Sequence, residues 1–295
     1  MKKLLTGIQR LIIAAGIVLL MLCGRLPARR KIGAGLGLLV LRFARRRRHI
    51  AAVNIHLTHP DKSAVWQQRL LRQHFMALGE WLMDNLWALS ATRNELRRYF
   101  RLEGEVTTPC IILAPHFLGL ELALLRLNLQ LPAPAAYHYK PMHSAFWNTL
   151  ILYLRQRFGG VGFSTDSKYS LLAAVRHCRR GGALCYLPDI DPRARKSTAF
   201  VPFMAVEQAA TTTGLSRLAQ AAKTPVVPYI ICRTAEGYVG KLLAPIADFP
   251  SGDEIADAKA INALIGEWVE KMPENYFWLH RRFKTDAQGK TKVYD

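Results

Sequence analysis

Apolar residues follow a helical period through the first third of the chain. Across Trp66–Leu89 they recur every three or four positions, which predicts a long amphipathic helix. Nearer the N-terminus, Leu11–Gly24 carries no charge, and a second apolar run, Ile32–Leu41, contains Gly33 and Gly37. A glycine pair at this spacing allows close packing of helices. A dinucleotide-binding loop is the weaker interpretation, because the GxGxxG pattern is incomplete and no typical strand precedes it.

Beyond residue 100, short apolar runs alternate with amphipathic patterns. The predicted strands are Cys110–Ala114, Ala183–Leu187 and Val226–Cys232, and the predicted helices are Leu120–Leu129, Lys168–Arg180, Gly214–Lys223 and Asp253–Lys271. This alternation is typical of a mixed, largely parallel sheet flanked by helices. We therefore expect an α/β fold with an N-terminal membrane-associated helix. Residues 1–45 would form a membrane anchor with basic flanks, and residues 46–295 would form the main domain.

The charge distribution supports the anchor. Of the formal net charge of +20, residues 1–50 contribute twelve basic side chains and no acidic one. Basic clusters beside apolar helices attract anionic membrane lipid and tend to remain in the cytoplasm. The uncharged run is marginal for a full span, which needs roughly 20 residues, and it is well suited to a helix embedded in the interface. A nucleic-acid partner is not expected, since no base-stacking aromatics or known binding module accompany the basic residues.

The most suggestive chemistry is an HxxxxE motif formed by His116 and Glu121. Five residues along a helix turn the chain by about 140°, so the two side chains would not share a helical face. The pair works best with His116 in the turn after a strand and Glu121 in the first turns of the next helix. Histidine is suited to removing a hydroxyl proton, and a nearby carboxylate would stabilise the imidazolium. Chance spacing of a core histidine and a surface glutamate is the alternative.

Two predicted strands end alike. Cys110–Ala114 leads through a proline to His116, and Ala183–Leu187 leads through a proline to Asp189. Reactive groups of open α/β sheets collect at the carboxyl ends of the strands. We therefore expect His116 and Asp189 at the same edge of the sheet, although a plain turn role for Asp189 also fits its proline neighbours.

Several ordered segments carry a family resemblance. They are APHFLGLE at Ala114–Glu121, the block Tyr139–Gly159, YLPDIDPR at Tyr186–Arg193, Phe200–Gly214, TPVVPYI at Thr224–Ile230 and YFWLHRRFK at Tyr276–Lys284. Over nearly its whole length the sequence resembles the late acyltransferases of lipid A biosynthesis, within the lysophospholipid acyltransferase superfamily.

The resemblance implies an enzyme of the bacterial inner membrane that faces the cytoplasm. It implies acyl carrier protein as the acyl donor and a Kdo-bearing lipid A precursor as the acceptor. Carried over by position, His116 is the base and Glu121 its partner, Arg155 or Arg157 binds substrate or the developing charge, and Asp189 belongs to the site's third block. This chain has Ile190 where the family commonly has a polar residue between two aspartates.

At the end of the third block and just beyond it, Arg193 and Arg195, together with Lys196, are candidates for binding acceptor phosphates, with a solvated loop as the alternative. Transfer of an acyl group from a thioester to a hydroxyl by this histidine requires no metal and no cofactor. An acyltransferase acting on a glycerophospholipid or a glycosylated phosphatidylinositol would share HxxxxE, so the acceptor must be found by assay. A non-catalytic membrane scaffold is a rival of a different class, which predicts that His116 and Glu121 are replaceable. Acyl chain length and the acylated hydroxyl are not readable from the sequence.

Overall fold

The computed structural model describes residues 2–193, 197–287 and 293–295, with side chains from Leu11 onward. Within these residues the strands are β1 (Phe100–Glu103), β2 (Cys110–Leu113), β3 (Ala136–Tyr139), β4 (Val161–Ser164), β5 (Ala183–Tyr186), β6 (Thr198–Phe203), β7 (Val206–Thr212), β8 (Val226–Arg233) and β9 (Tyr238–Leu242). All but β6 and β7 form one sheet in the order β1-β9-β8-β2-β5-β3-β4. The mixed, largely parallel sheet is confirmed, since only β8 and β9 pair antiparallel within it.

The two strands that carry the candidate chemistry are neighbours. β2 and β5 run parallel in a register that pairs Leu113 with Tyr186. Both strands are almost wholly buried, as expected for central strands covered on both faces. Because each strand is followed by a Pro and then a polar residue, the register places both polar residues at one edge of the sheet.

Helices follow the strands and cover the sheet. Their bounds are α5 (Arg93–Tyr99), α6 (Leu120–Asn128), α7 (Ala145–Gln156), α8 (Ser170–Arg179), α9 (Gly214–Ala222) and α10 (Glu254–Lys271). Those predicted from periodicity agree with the structure to within two residues. Asp253 caps α10 as predicted, since its side chain accepts hydrogen bonds from the main-chain N–H groups of Ile255 and Ala256.

The N-terminal region consists of helices joined by short turns. It contains α1 (Lys2–Gly24), α2 (Arg29–Phe43), α3 (Arg45–Thr58) and α4 (Ala64–Ala88). The close packing predicted for Gly33 and Gly37 is confirmed, and the partner is α4. A Cβ at Gly33 would lie 2.5 Å from the carbonyl oxygen of Gly79, and one at Gly37 would lie 1.9 Å from that of Phe75. No side chain larger than hydrogen fits at either position without moving backbone.

A buried carboxylate ties α2 to the α/β domain. Asp84 on α4 is fully buried and pairs with Arg29 Nε at 3.1 Å and Arg30 Nε at 3.0 Å. The hydroxyl groups of Tyr99 and Tyr238 donate to the same carboxylate. Removing one partner of a buried ion pair costs roughly 3–5 kcal/mol. Arg29 and Arg30, which follow the first apolar run, therefore stabilise the packing of α2 on the rest of the chain as well as contributing positive charge.

The apolar N-terminal helices are only partly covered. Exposed large side chains lie along α1 and α2, namely Leu11, Ile12, Val18, Leu19, Leu22, Ile32, Leu36, Leu39, Val40 and Phe43. Within the described residues no single helix is long and apolar enough to cross a membrane. Leu11–Gly24 and Arg29–Phe43 pass that test of length and composition together, with a bend of 113° between them.

Candidate active site

The centre of the site is the side chain of His116. It follows β2 and lies opposite Asp189, which follows β5. Asp189 Oδ1 is 2.8 Å from His116 Nδ1, and Asp189 Oδ2 accepts the main-chain N–H of His116 at 2.9 Å. An ionised carboxylate can only accept, so Nδ1 carries a ring proton, and in the neutral imidazole Nε2 then presents a lone pair. The prediction that the two residues meet at one edge of the sheet is confirmed.

Asp189 is held as an anion although it is buried. Burial by itself raises the pKa of this carboxyl. The charge of His116 and the hydrogen bonds from its ring and main chain together lower the pKa by more than burial raises it. The net result is a pKa below the ordinary value. The carboxylate is therefore ionised at neutral pH and can stabilise a protonated imidazole beside it.

The C-terminal segment fixes the turn that carries His116. The main-chain N–H of Phe277 donates to the carbonyl of His116 at 2.9 Å, and that of Leu118 donates to the carbonyl of Asn275 at 2.8 Å. The turn then enters α6 through Gly119, whose φ of 105° lies in the left-handed region. A Cβ at Gly119 would also meet the Tyr238 ring at 2.7 Å, so both conformation and space require glycine.

Glu121 lies in the first turn of α6, as predicted, but its hydrogen-bonding partner is Arg155 on α7. Arg155 Nη2 is 3.0 Å from Glu121 Oε1. Among the described residues no hydrogen bond or ion pair joins Glu121 to His116, and the imidazole contact expected from Glu121 is made by Asp189. The other carboxylate oxygen, Oε2, is buried and has no hydrogen-bonding partner within the part of the chain described.

The site includes a cavity of about 580 Å³. His116, Glu121 and Arg155 contribute polar atoms to its wall. Most of the remaining wall near α6 and α7 is apolar, and it includes Leu120, Ala123, Leu124, Leu127, Ile151 and Leu152. An apolar cavity with a few convergent polar groups is the usual form of a small-molecule site. Here the apolar part suits a hydrocarbon chain, and the polar part suits proton transfer at its end.

Comparison with known proteins agrees with this geometry. The sequence profile described as "Bacterial lipid A biosynthesis acyltransferase" matches residues 1–285. The chain belongs to this family. It is 31% identical to the lipid A biosynthesis lauroyltransferase of Escherichia coli K12, over 91% of this chain and 89% of that protein. It is 29% identical to the palmitoleoyltransferase of the same strain, over 89% and 87% of the two chains. It is also 29% identical to a lipid A biosynthesis acyltransferase of Haemophilus influenzae, over 93% and 90%.

Within this lipid A acyltransferase fold, the remaining predicted site residues fall in different places. Arg157 donates to the main-chain carbonyl of Ala88 at the end of α4 and is not part of the cavity wall described above. Arg193 is exposed and lines a second, basic cleft. Arg195 and Lys196 lie outside the described residues. Of the two arginines considered for the developing charge, Arg155 is the one that reaches the cavity.

Two residues near His116 were not among the predicted site residues. The buried Tyr276 side chain lies against Asp189, and His280 Nε2 is 3.2 Å from the main-chain nitrogen of Asp191. Burial, with the nearby charge of His116, lowers the pKa of His280 to about 4, so it is neutral at pH 7. Both belong to the block Tyr276–Lys284 that carried the resemblance, but nothing in their spacing indicated contact with the site.

In the described chain no group of three or more His, Cys, Asp or Glu side chains could hold a metal ion.

Proposed function

We propose that this lipid A acyltransferase family member transfers a fatty acyl chain from the thioester of acyl carrier protein to a hydroxyl of a Kdo-bearing lipid A precursor. The observation that carries the proposal is His116, held by Asp189 in the tautomer of a general base, at the wall of an apolar cavity. The names of the relatives reported above support the acceptor class.

In the proposed reaction, His116 Nε2 removes the proton of the acceptor hydroxyl. The oxygen attacks the thioester carbonyl carbon, and the carbonyl electrons move onto its oxygen. Collapse of this intermediate breaks the carbon–sulfur bond, and the imidazolium returns its proton to the departing thiolate. Asp189 stays ionised throughout and stabilises the imidazolium.

Arg155 is the proposed partner of the negative charge that develops on the carbonyl oxygen. Glu121 holds Arg155 through Oε1, and its unpaired Oε2 is available to a polar group of the substrate. In this scheme the HxxxxE motif joins two functions. His116 moves the proton, and Glu121 positions the cation. Direct support of the imidazolium by Glu121, as the sequence suggested, is tested by the double-mutant experiment in the Discussion.

We further propose that α1 and α2 hold the enzyme to the cytoplasmic face of the bacterial inner membrane. The exposed apolar side chains of these helices and the basic residues of the first 50 positions support this placement. Apolar surface would enter the lipid, and the Arg side chains would contact anionic headgroups. The acyl cavity would then lie near the membrane that contains the acceptor.

The decisive experiment is mass spectrometry of lipid A from cells with and without the gene. We expect the mutant lipid A to lack one acyl chain, restored by the wild-type gene and not by His116→Ala. Purified enzyme should form the same ester from acyl carrier protein thioester and lipid A precursor. Unchanged lipid A together with acylation of a glycerophospholipid would refute the proposed acceptor. Full complementation by a folded His116→Ala protein would refute the catalytic proposal.

A further inference from the structure

A second cleft, of about 360 Å³, opens on the other side of the segment that follows Asp189. Ile190 lines the apolar cavity that His116 borders, whereas the next residue, Asp191, lines the cleft. His280 also lines the cleft, and it lies close enough to His116 for the charge of one to affect the other. The cleft is therefore adjacent to the catalytic histidine but separate from the apolar cavity.

Cations from three distant parts of the sequence meet in this cleft. They are Arg46 and Arg47 of α3, Arg193 after β5, and Arg281 and Lys284 of the C-terminal segment. The described ion pairs of the chain involve none of them. Arg281 Nε is moreover buried without a hydrogen-bonding partner in the part of the chain that the structure describes.

The acidic residue in the cleft does not neutralise this charge. Asp191 is buried, and its carboxylate accepts from the main-chain N–H of Arg193 and from the N–H and hydroxyl of Thr285. These bonds shape the loop and involve no guanidinium group, while Arg47 Nη1 donates to the main-chain carbonyl of Leu279. Five cations against one engaged carboxylate produce a strongly positive wall beside the site.

The start of α3 adds an electrostatic conflict that an anion would relieve. α3 begins with Arg45–Arg48, has no side-chain cap and carries no acidic residue in its first turn. A helix N-terminus bears partial positive charge, so basic residues are unfavourable there and anions are favourable. Local conflicts of this kind are expected where a ligand supplies the missing charge.

We propose that this basic cleft binds a phosphate or carboxylate group on the headgroup of the acceptor lipid, with Arg46 and Arg47 as its principal ligands. The inference rests on the proposed function, because it takes the acceptor to be an anionic glycolipid. Arginine matches phosphate and carboxylate oxygens with paired hydrogen bonds, which favours these anions. Binding here would fix the sugar while one hydroxyl reaches His116 and the acyl donor occupies the apolar cavity.

The test compares two double variants of the full-length enzyme in neutral detergent micelles. Arg46→Gln/Arg47→Gln removes two charges from the cleft. Arg42→Gln/Arg45→Gln removes the same charge from the same basic run, at residues that do not line the cleft. Equilibrium binding of lipid A precursor is measured alongside the same lipid after enzymatic removal of its phosphates.

We expect the cleft variant to bind the phosphorylated precursor at least about tenfold more weakly than wild type, since hydrogen bonds between charged groups are lost. The control variant should bind as wild type does, and the difference between cleft variant and wild type should shrink on the dephosphorylated lipid. Equal losses in the two double variants would overturn the proposal, because the effect would then be general charge. So would an equal loss on both lipids.

Competition identifies the source of the anion. Phosphatidylglycerol in the micelles and millimolar inorganic phosphate should each displace the precursor far less effectively than unlabelled precursor does. Displacement by phosphatidylglycerol at equal concentration would overturn the assignment to the acceptor and indicate a site for bilayer headgroups. Full displacement by inorganic phosphate would also overturn the assignment to the acceptor. The cleft would then bind an adventitious ion only.

Binding does not require turnover, so this experiment fails separately from the proposed function. If the protein acylates no lipid but binds phosphorylated precursor through Arg46 and Arg47, the proposed reaction is refuted and the proposed binding site in the cleft stands. In an active enzyme, the cleft variant should raise the acceptor KM with kcat nearly unchanged, as expected for lost ground-state binding.

Discussion

His116 Nδ1 lies 2.8 Å from Asp189 Oδ1, although 73 positions separate the two residues. The contact exists because β2 and β5 are adjacent and parallel, so the residues that follow them share one edge of the sheet. The orientation of the histidine is therefore set by the segment YLPDIDPR, which contains Asp189, and not by the glutamate five residues away.

The first prediction concerns Asp189. Asp189→Asn should lower kcat by about 10²–10⁴-fold with little change in KM, because the amide no longer holds the proton on Nδ1 or stabilises the imidazolium. His116→Ala should cost as much or more, and the double variant should be little worse than His116→Ala alone. Asp257→Asn is the matched control, a buried aspartate that hydrogen-bonds Ser216. A folded Asp189→Asn enzyme with wild-type kcat would contradict the positioning role.

The second prediction separates Glu121 from His116. Arg155→Gln should lower kcat by about 10²–10³-fold, the usual loss when one donor to an oxyanion is removed. Glu121→Gln should lower it as well, and the Glu121→Gln/Arg155→Gln double variant should resemble the worse single one. Arg157→Gln should affect stability and leave kcat unchanged, since Arg157 contacts the carbonyl of Ala88. Losses that multiply would instead mean that Glu121 acts apart from Arg155, as in the direct pairing with His116 predicted from the motif.

The third prediction concerns attachment to the membrane. Leu19 and Leu22 on α1 are 62% and 63% exposed. Leu19→Asp/Leu22→Asp should weaken binding to vesicles of phosphatidylethanolamine and phosphatidylglycerol at least about tenfold, because burying each leucine contributes roughly 1.5–3 kcal/mol. Ile255→Asp on α10, also 60% exposed, should leave vesicle binding unchanged. Cosedimentation measures both. A wild-type protein that stays in the supernatant without detergent at physiological salt would exclude the anchor.

The fourth prediction concerns acid stability. His74 on α4 is fully buried, and its Nδ1 bonds the carbonyl of Glu274. Burial lowers its pKa to about 4, so the unfolded chain binds a proton that the folded protein does not between about pH 6.5 and 4. Stability therefore falls as pH falls through this window, by up to about 1.4 kcal/mol per pH unit from this residue. His74→Asn keeps a donor near Nδ1 but does not titrate. Its Tm should fall less steeply from pH 6.5 to 4.5, and an identical slope would contradict the assignment.

Much of the fold was readable from the sequence because it is encoded locally. The helices α4, α6, α8, α9 and α10 and the strands β2, β5 and β8 follow from apolar periodicity and from their Gly, Pro and Asp boundaries. The short strands β1, β3, β4 and β9, in the outer parts of the sheet, and the β6–β7 hairpin carry no such signal. Their residues become strands through pairing with neighbours, which is a tertiary effect.

The sequence by itself determined the candidate base, its place after a strand, the glycine pair in α2 and the concentration of charge at the N-terminus. Only the tertiary structure decided which side chains meet. The strand order placed Asp189 against His116. Packing of α7 on α6 paired Glu121 with Arg155. The C-terminal segment folds back and brings Tyr276 and His280 to the site. The same folding gathered Arg46, Arg193 and Arg281 into one cleft. Periodicity reports which face of an element is buried, whereas contacts between distant elements depend on how the whole sheet is ordered.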